Sequence, residues 1–381
     1  MGKLLKSILH IITGLEDGGA EAVLYRLITN DNRFKHSVIS LMGPGKYGPL
    51  LEKQGFTVHC LNMGKGKITR SGITFLWRYL RSNKFDILQT WMYHADLIGG
   101  VIGRFAGLNQ VYWCIHNSTL VRGQTHWKTL VVTKICAALS YVIPRKIISC
   151  AQGAIEANVR QGYSASKFQL IPNGYDLSMF KPDVLNGETL REKWGIKKET
   201  FLIGIVARFD PQKDISNLIK ALGRVRKSDL DFNLVMVGAG MESDNEELRG
   251  WIRSFGIEDR VIMLGQQNNI PEIMNAIDLL TLSSKYGEAF PNVLCEAMAC
   301  GTPCVATNLG DIPVIISEYG WVVPAQSPDQ LADAIIQAAI QRKNEFLWNS
   351  KKDNARQHIE RNFNIQTMVD SYHKVWSAGK N

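Results

Sequence analysis

Lys285-Tyr-Gly-Glu-Ala-Phe-Pro-Asn-Val-Leu-Cys-Glu-Ala-Met-Ala-Cys-Gly-Thr-Pro303 combines a helix start, a helix stop and two spaced carboxylates in one stretch. Pro291 suits the first helical position, where a missing N–H costs nothing, and Gly301 with Pro303 reads as a C-terminal stop. A helix is therefore expected from Pro291 to Cys300, with Glu288 in the loop before it and Glu296 inside it. The N-terminus of such a helix exposes unpaired N–H groups at the positive end of its dipole, a ready site for phosphate. Two carboxylates beside an anion site suit a nucleotide-sugar. One can accept from sugar hydroxyls and the other from a ribose diol, while the amides hold the diphosphate.

The chain around this stretch has 381 residues, 45% of them hydrophobic, which favours two globular domains. Its longest apolar run, Leu130 to Ile143, is interrupted by Lys134 and falls short of the roughly 20 residues that span a bilayer. Lys3 and Lys6 before Ser-Ile-Leu-His-Ile-Ile imitate a signal peptide without its cleavage site, and a first strand accounts for them better. Met1-Gly2 lacks the Ser or Thr that myristoylation requires, because Lys6 stands there. The seven cysteines form no Cys-x-x-Cys pair and read as reduced core residues of a cytosolic protein, where the acceptor pattern Asn117-Ser-Thr carries no weight. The net charge of +9 is lopsided: residues 1 to 180 hold 21 Lys and Arg against 9 Asp and Glu, and the remainder 23 against 26. A basic half implies an anionic surface, and with no nucleic-acid motif in the chain, lipid headgroups or a lipid diphosphate fit better than nucleic acid.

The first half alternates apolar runs with amphipathic segments, the pattern of a doubly wound parallel sheet. Strands are expected at Ser7 to Ile12, His36 to Leu41, Thr57 to Leu61, Ile87 to Thr90, Val111 to Ile115 and Lys146 to Cys150. Gly18-Gly19 opens a helix after the first strand and brings bare backbone to the ligand-binding edge. Gly43-Pro-Gly-Lys-Tyr-Gly48 matches the dinucleotide fingerprint, but it follows the second strand, and the region about 20 residues on is basic, without the acidic ribose partner. His94 and His116 each follow a strand and so sit at the same edge. Ser71 to Lys84 and His126 to Ile143, the latter preceded by Arg122, are basic helices with aromatic residues; both suit an outer layer of the sheet or a headgroup interface.

The second half opens with Phe201-Leu-Ile-Gly-Ile-Val-Ala-Arg-Phe-Asp-Pro-Gln-Lys-Asp. Arg208 and Lys213 emerge where a strand ends and a helix starts, a place for two cations to neutralise a diphosphate. Asn233 to Gly240 is a buried strand ending in glycines, among them Gly238. Asp229-Leu-Asp231 imitates a metal-binding pair but precedes that strand, at the edge away from ligand, so no metal is expected there.

Glu288-Ala-Phe-Pro-Asn-Val-Leu-Cys-Glu296, with its flanking small residues, Gly301 and Pro303, closely resembles the signature of the retaining family 4 glycosyltransferases of GT-B fold. The resemblance runs through nearly the whole chain, taking in Gly18-Gly19, the hinge Ile171-Pro-Asn-Gly-Tyr-Asp176, and Arg208 with Lys213. It implies two Rossmann-like α/β domains facing across a cleft: an acceptor domain over 1–172, a donor domain over 173–360, and a final helix in 361–381 crossing back. It implies donor contacts from Gly18, Gly19, Arg208, Lys213, Gly238, Glu288, Phe290, Pro291, Asn292, Val293 and Glu296, and places His116 beside the transferred sugar. The implied catalytic set is His116, Arg208, Lys213 and Glu288, without metal or other cofactor, acting by same-face substitution. The family's usual Gly-Gly-x-Pro-Glu loop reads Gly310-Asp-Ile-Pro-Val314 here, which changes any contact made by the lost glutamate.

The expected activity is sugar transfer from a nucleotide-sugar to a lipid-linked or polysaccharide acceptor on the cytoplasmic side of a membrane, the base and sugar being open. A sugar-nucleotide epimerase or phosphorylase shares the build, but no lysine-bound cofactor site is identifiable for the latter. A non-catalytic membrane-surface protein would have no use for Arg208, Lys213 and Glu288 together.

Overall fold

A computed structural model describes residues 5–64, 66–116 and 127–378. Met1-Gly2, Lys65, Asn117-Ser-Thr, Arg122 and His126 lie outside them. The chain divides into two compact units, one formed by Met1–Gly174 with Ile365–Asn381 and the other by Tyr175–Asn364.

Among the described residues, the first unit is built on seven strands: β1 (Ser7–Ile12), β2 (Lys35–Ser40), β3 (Thr57–Cys60), β4 (Ile87–Trp91), β5 (Val111–Ile115), β6 (Lys146–Ser149) and β7 (Phe168–Leu170). They pair in the order β3-β2-β1-β4-β5-β6-β7, every pair parallel. Six coincide to within a residue with the apolar runs of the sequence; five of these are buried almost throughout, as a parallel sheet covered on both faces demands, while the edge strand β3 is only partly buried. The seventh was not expected: three residues long and partly exposed at the sheet edge, it leaves too short a pattern to read.

Side chains alternate across this sheet. Ile8 and Ile12 pack towards the helix Gly19–Thr29 and the final helix Ile365–Ser377. Leu9 and Ile11 pack on the other face with the helices Arg70–Ser82, Tyr93–Phe105 and Trp127–Leu139. The fingerprint Gly43 to Gly48 leaves β2 and runs into the short helix Tyr47–Lys53.

The second unit has six strands among its described residues: β8 (Phe201–Val206), β9 (Phe232–Val237), β10 (Val261–Gly265), β11 (Leu279–Leu282), β12 (Cys304–Thr307) and β13 (Trp321–Val323). Their order is β10-β9-β8-β11-β12-β13, again all parallel. Strand order therefore reverses between β8 and β11, and in such sheets ligands bind at the carboxyl ends of the strands flanking the reversal. The helix expected from Pro291 runs from Asn292 to Ala299, with Pro291 as its extended cap (φ −70°, ψ 111°). Proline's fixed φ serves either position, so the sequence placed the start one residue early.

Candidate functional site

The reversal in the second unit gathers the residues that the sequence singled out. Arg208 follows β8, exposed and without a hydrogen bond or ion pair among the described residues. Lys213 ends the short helical turn Pro211–Lys213, and Asp214 then takes a left-handed conformation (φ 45°, ψ 52°) before the helix Ile215–Val225. Glu288 follows β11 from the other side of the reversal. Its side chain is 7% exposed, that of Lys213 17%, and the Lys213 ammonium donates to Glu288 Oε1 at 2.5 Å. Ser284 Oγ donates to the same oxygen at 2.6 Å.

Ser284 was missed in the sequence, where a second serine after an apolar strand carries no signal of its own. The adjacent Ser283 fastens the opposite wall, its hydroxyl donating to the carbonyls of Lys213 (2.9 Å) and Asp214 (3.1 Å). Both bonds to Glu288 fall on Oε1, and Oε2 accepts none among the described residues. A buried carboxylate with one oxygen satisfied and one open is an oriented acceptor for a hydroxyl.

The loop carrying Glu288 is backed by the turn after β12. Gly310 (φ 51°) lies so close that a Cβ there would meet the Glu288 carbonyl oxygen at 2.3 Å and that of Ala289 at 2.8 Å. Asp311, where the family pattern has a second glycine, donates its backbone N–H to Ala289 at 3.1 Å. Val314, in place of the glutamate, is exposed. Gly238, after β9, is likewise a close approach: at φ 136°, its Cβ would fall 1.8 Å from the Ala207 carbonyl oxygen, beside Arg208.

Phe290 is buried with its ring against Phe363 at 5.3 Å, and Asn292 Oδ1 accepts from Tyr175 Oη at 2.6 Å, so these two brace the loop. Val293 and Glu296 are half-buried on the helix, whose N-terminus no side chain caps. Asp231 lies before β9, as expected, but is an ion-pair partner of Arg260 and accepts from Thr200 Oγ1 at 2.8 Å. Among the described residues no cluster of His, Cys, Asp or Glu could hold a metal.

In the first unit, strand order reverses between β1 and β4. Gly18 caps the helix Gly19–Thr29 in ordinary extended backbone (φ −134°, ψ 168°), with no side-chain cap to obstruct the amides. A Cβ on Gly18 would meet the Glu21 carboxylate at 2.4 Å, a flexible side-chain end that can swing away. His116 follows β5, stacked on Trp91 (5.6 Å between centroids, 16° between planes) and 3.2 Å through Nε2 from Cys114 Sγ. Burial and the nearby Arg26 guanidinium push its pKa down to about 4, so the imidazole is neutral at physiological pH. His94 sits on the helix Tyr93–Phe105 that follows β4, its pKa lowered by burial.

The family model described as "Glycosyl transferases group 1" matches residues 186–357, and that of "Glycosyltransferase Family 4" matches residues 17–179. The UDP-Gal:alpha-D-GlcNAc-diphosphoundecaprenol alpha-1,3-galactosyltransferase of Escherichia coli is 26% identical over 317 residues, covering 82% of this chain and 80% of its own. Putative glycosyltransferase EpsF of Bacillus subtilis is 26% identical over 320 residues, covering 81% and 80%. Among solved structures, Anabaena Alr3699/HepE in complex with UDP superposes with a TM-score of 0.85 at 23% identity, over 98% of this chain and all (100%) of that one. At that identity the likeness is one of fold.

Proposed function

We infer that this chain, which belongs to the family 4 glycosyltransferases and has their GT-B build of two Rossmann-like units, transfers a sugar from a nucleotide-sugar donor in glycan synthesis. The observation that carries the assignment of its site is the buried Glu288 carboxylate, held by Lys213 and Ser284 where β8 and β11 part, with Arg208 in the loop after β8 and without an ion pair among the described residues. Departure of a nucleoside diphosphate creates charge, and fixed cations and helix N-termini stabilise it without reorganising. Arg208 offers a bidentate fork, Lys213 a point charge, and the helix that starts at Asn292 the positive end of its dipole. Glu288 Oε2 accepts from a hydroxyl of the sugar in flight, Glu296 from the ribose, and His116 meets the sugar.

The proposed donor is a UDP-sugar, supported by the UDP-bound structure of like fold, and the proposed acceptor lipid-linked, supported by the Escherichia coli relative's name. The reaction is read as retaining and metal-independent. Glu288 is tied down through Oε1 and suits hydrogen bonding better than nucleophilic attack, which favours same-face departure and entry.

Calorimetric titration with UDP, GDP and ADP in excess chelator tests this reading. UDP is expected to bind, and Lys213→Ala to weaken it by about 1.5 to 3 kcal/mol, the range for hydrogen bonds to charged groups. Binding that needs a metal, or that the mutation leaves unchanged, sinks the corresponding part.

Peripheral attachment to the cytoplasmic face of a membrane belongs to the same proposal. No helix among the described residues is long and apolar enough to cross one. The segment from Lys65 to Lys146, however, holds 12 Lys and Arg against only Asp86 and Asp96. Asp96 is buried, and Asp86 accepts bonds from Ser7. Exposed Phe75 and Trp77 on the helix Arg70–Ser82, and Trp127, Val131 and Ile135 one turn apart on the helix Trp127–Leu139, add an apolar face to that charge. Co-sedimentation is expected with phosphatidylglycerol vesicles and not with phosphatidylcholine ones, and to fall as salt shortens the roughly 8 Å screening length. Equal binding to both vesicles would refute the attachment.

A further inference from the structure

We propose that Tyr372 and Cys114 form a hydrogen-bond relay that fixes the tautomer of His116, making its Nδ1–H the donor presented to substrate. The relay deepens the reading of His116 as a group that meets the sugar, and its use in turnover rests on that reading.

Three rings are stacked in the first unit. Trp91 lies between His116 (5.6 Å, 16°) and Tyr372 of the final helix (6.1 Å, 19°). The stack fixes the plane of the imidazole. One edge of that stack is bridged by a thiol: Cys114 Sγ is 3.3 Å from Tyr372 Oη and 3.2 Å from His116 Nε2. Burial pushes the pKa of both the thiol and the phenol well up, so each keeps its hydrogen.

Counting hydrogens sets the direction. If Nε2–H donated to sulfur, three hydrogens would share two contacts, and either the buried thiol or the buried phenol hydrogen would have no acceptor among the described residues. An unsatisfied buried donor is costly. In the reverse order the phenol donates to sulfur and the thiol to Nε2, so both buried hydrogens are used and the ring hydrogen falls to a residue that is partly exposed. A neutral imidazole with Nε2 accepting carries its hydrogen on Nδ1.

Trp91 is itself fixed by a second directed chain. Its Nε1–H donates to His10 Nδ1 at 3.2 Å, which leaves the His10 hydrogen on Nε2, 2.9 Å from His36 Nδ1. His36 Nε2 lies 3.4 Å from Asp31 Oδ2, without a hydrogen bond between them. The Trp91 indole N–H is thus held through His10 to His36.

The test is nitrogen NMR on the full chain with labelled histidine, the His116 signals being assigned by their loss in His116→Asn. The expected spectrum has a pyrrole-type Nδ1 and a pyridine-type Nε2. Cys114→Ala should move the ring towards the other tautomer and lower kcat about tenfold with little change in KM, the scale of one hydrogen bond. Cys114→Ser, which keeps a donor, should restore both. Tyr372→Phe keeps the stack and removes only the hydroxyl, so it should shift the tautomer in the same direction without unfolding the chain. An Nε2–H tautomer in the unmodified protein, or one that Cys114→Ala leaves unchanged, overturns the relay. A tautomer shift with unaltered turnover upholds the relay and removes His116 from the chemistry, so the two readings fail separately.

Discussion

Glu288→Gln is expected to lower kcat by about 10²- to 10³-fold while donor KM changes little, the loss seen when one preorganised polar group at a reacting centre is removed. Two local consequences add up in this substitution. The Lys213 ammonium loses a charged partner 2.5 Å away in a nearly closed setting, and the amide's NH₂ must face either Ser284 or the substrate hydroxyl. A neutral amide therefore cannot hold both walls and still offer an open acceptor. Glu296→Gln provides the contrast: the ribose is bound alike in ground and transition states, so donor KM should rise about tenfold at nearly constant kcat. Steady-state kinetics with varied donor separates the two. The opposite pattern would mean that the donor lies the other way along the Asn292–Ala299 helix.

Gly310→Ala is expected to destabilise the second unit by about 2 to 4 kcal/mol, combining backbone strain at positive φ with forced displacement of packed atoms. The obstacle is backbone, the carbonyl oxygens of Glu288 and Ala289, which cannot rotate away as a side chain would. Relief must come from moving the loop that carries Glu288, so donor affinity should fall together with the denaturant midpoint. Gly250→Ala is the matched control. It lies in the helix Glu246–Ser254 with nothing within 4 Å of the new methyl group, and should stabilise by about 0.5 to 1 kcal/mol. Equal effects at the two positions would show that the approach of Gly310 to the loop does not constrain it.

The frame was legible because parallel strands buried on both faces write themselves as apolar runs, as Val111–Ile115 and Ser7–Ile12 do. Turn chemistry located Lys213 and Glu288 one at a time. Their pairing was hidden, since the residues lie 75 positions apart and nothing local says that β8 and β11 are neighbours. Ser284 needed that pairing before it had meaning. Cys114 was read as an inert core thiol, a fair inference from its apolar surroundings, and its contacts come from two positions away and from 258 positions away. Local periodicity carries no trace of such separations. The loop Gly310 to Val314 departs from the family pattern, yet the structure keeps its first glycine pressed on the Glu288 carbonyl and reuses the Asp311 amide, so the brace survives.

The first unit is completed by residues from the far end of the chain: Met368, Val369, Tyr372 and Trp376 fill one face of a sheet whose strands all precede Gly174. On a ribosome this imposes a delay. The second unit, Tyr175–Asn364, must be synthesised in between, which at about 5 to 20 residues per second takes roughly 10 to 40 s. Through that interval the nascent sheet lacks the four side chains that pack in one cluster with Trp91 and Ile148. The second unit, continuous in sequence, can finish folding first. Chaperone dependence should accordingly concentrate on the N-terminal half, and stalled chains ending before Ile365 should be the aggregation-prone species in the cell.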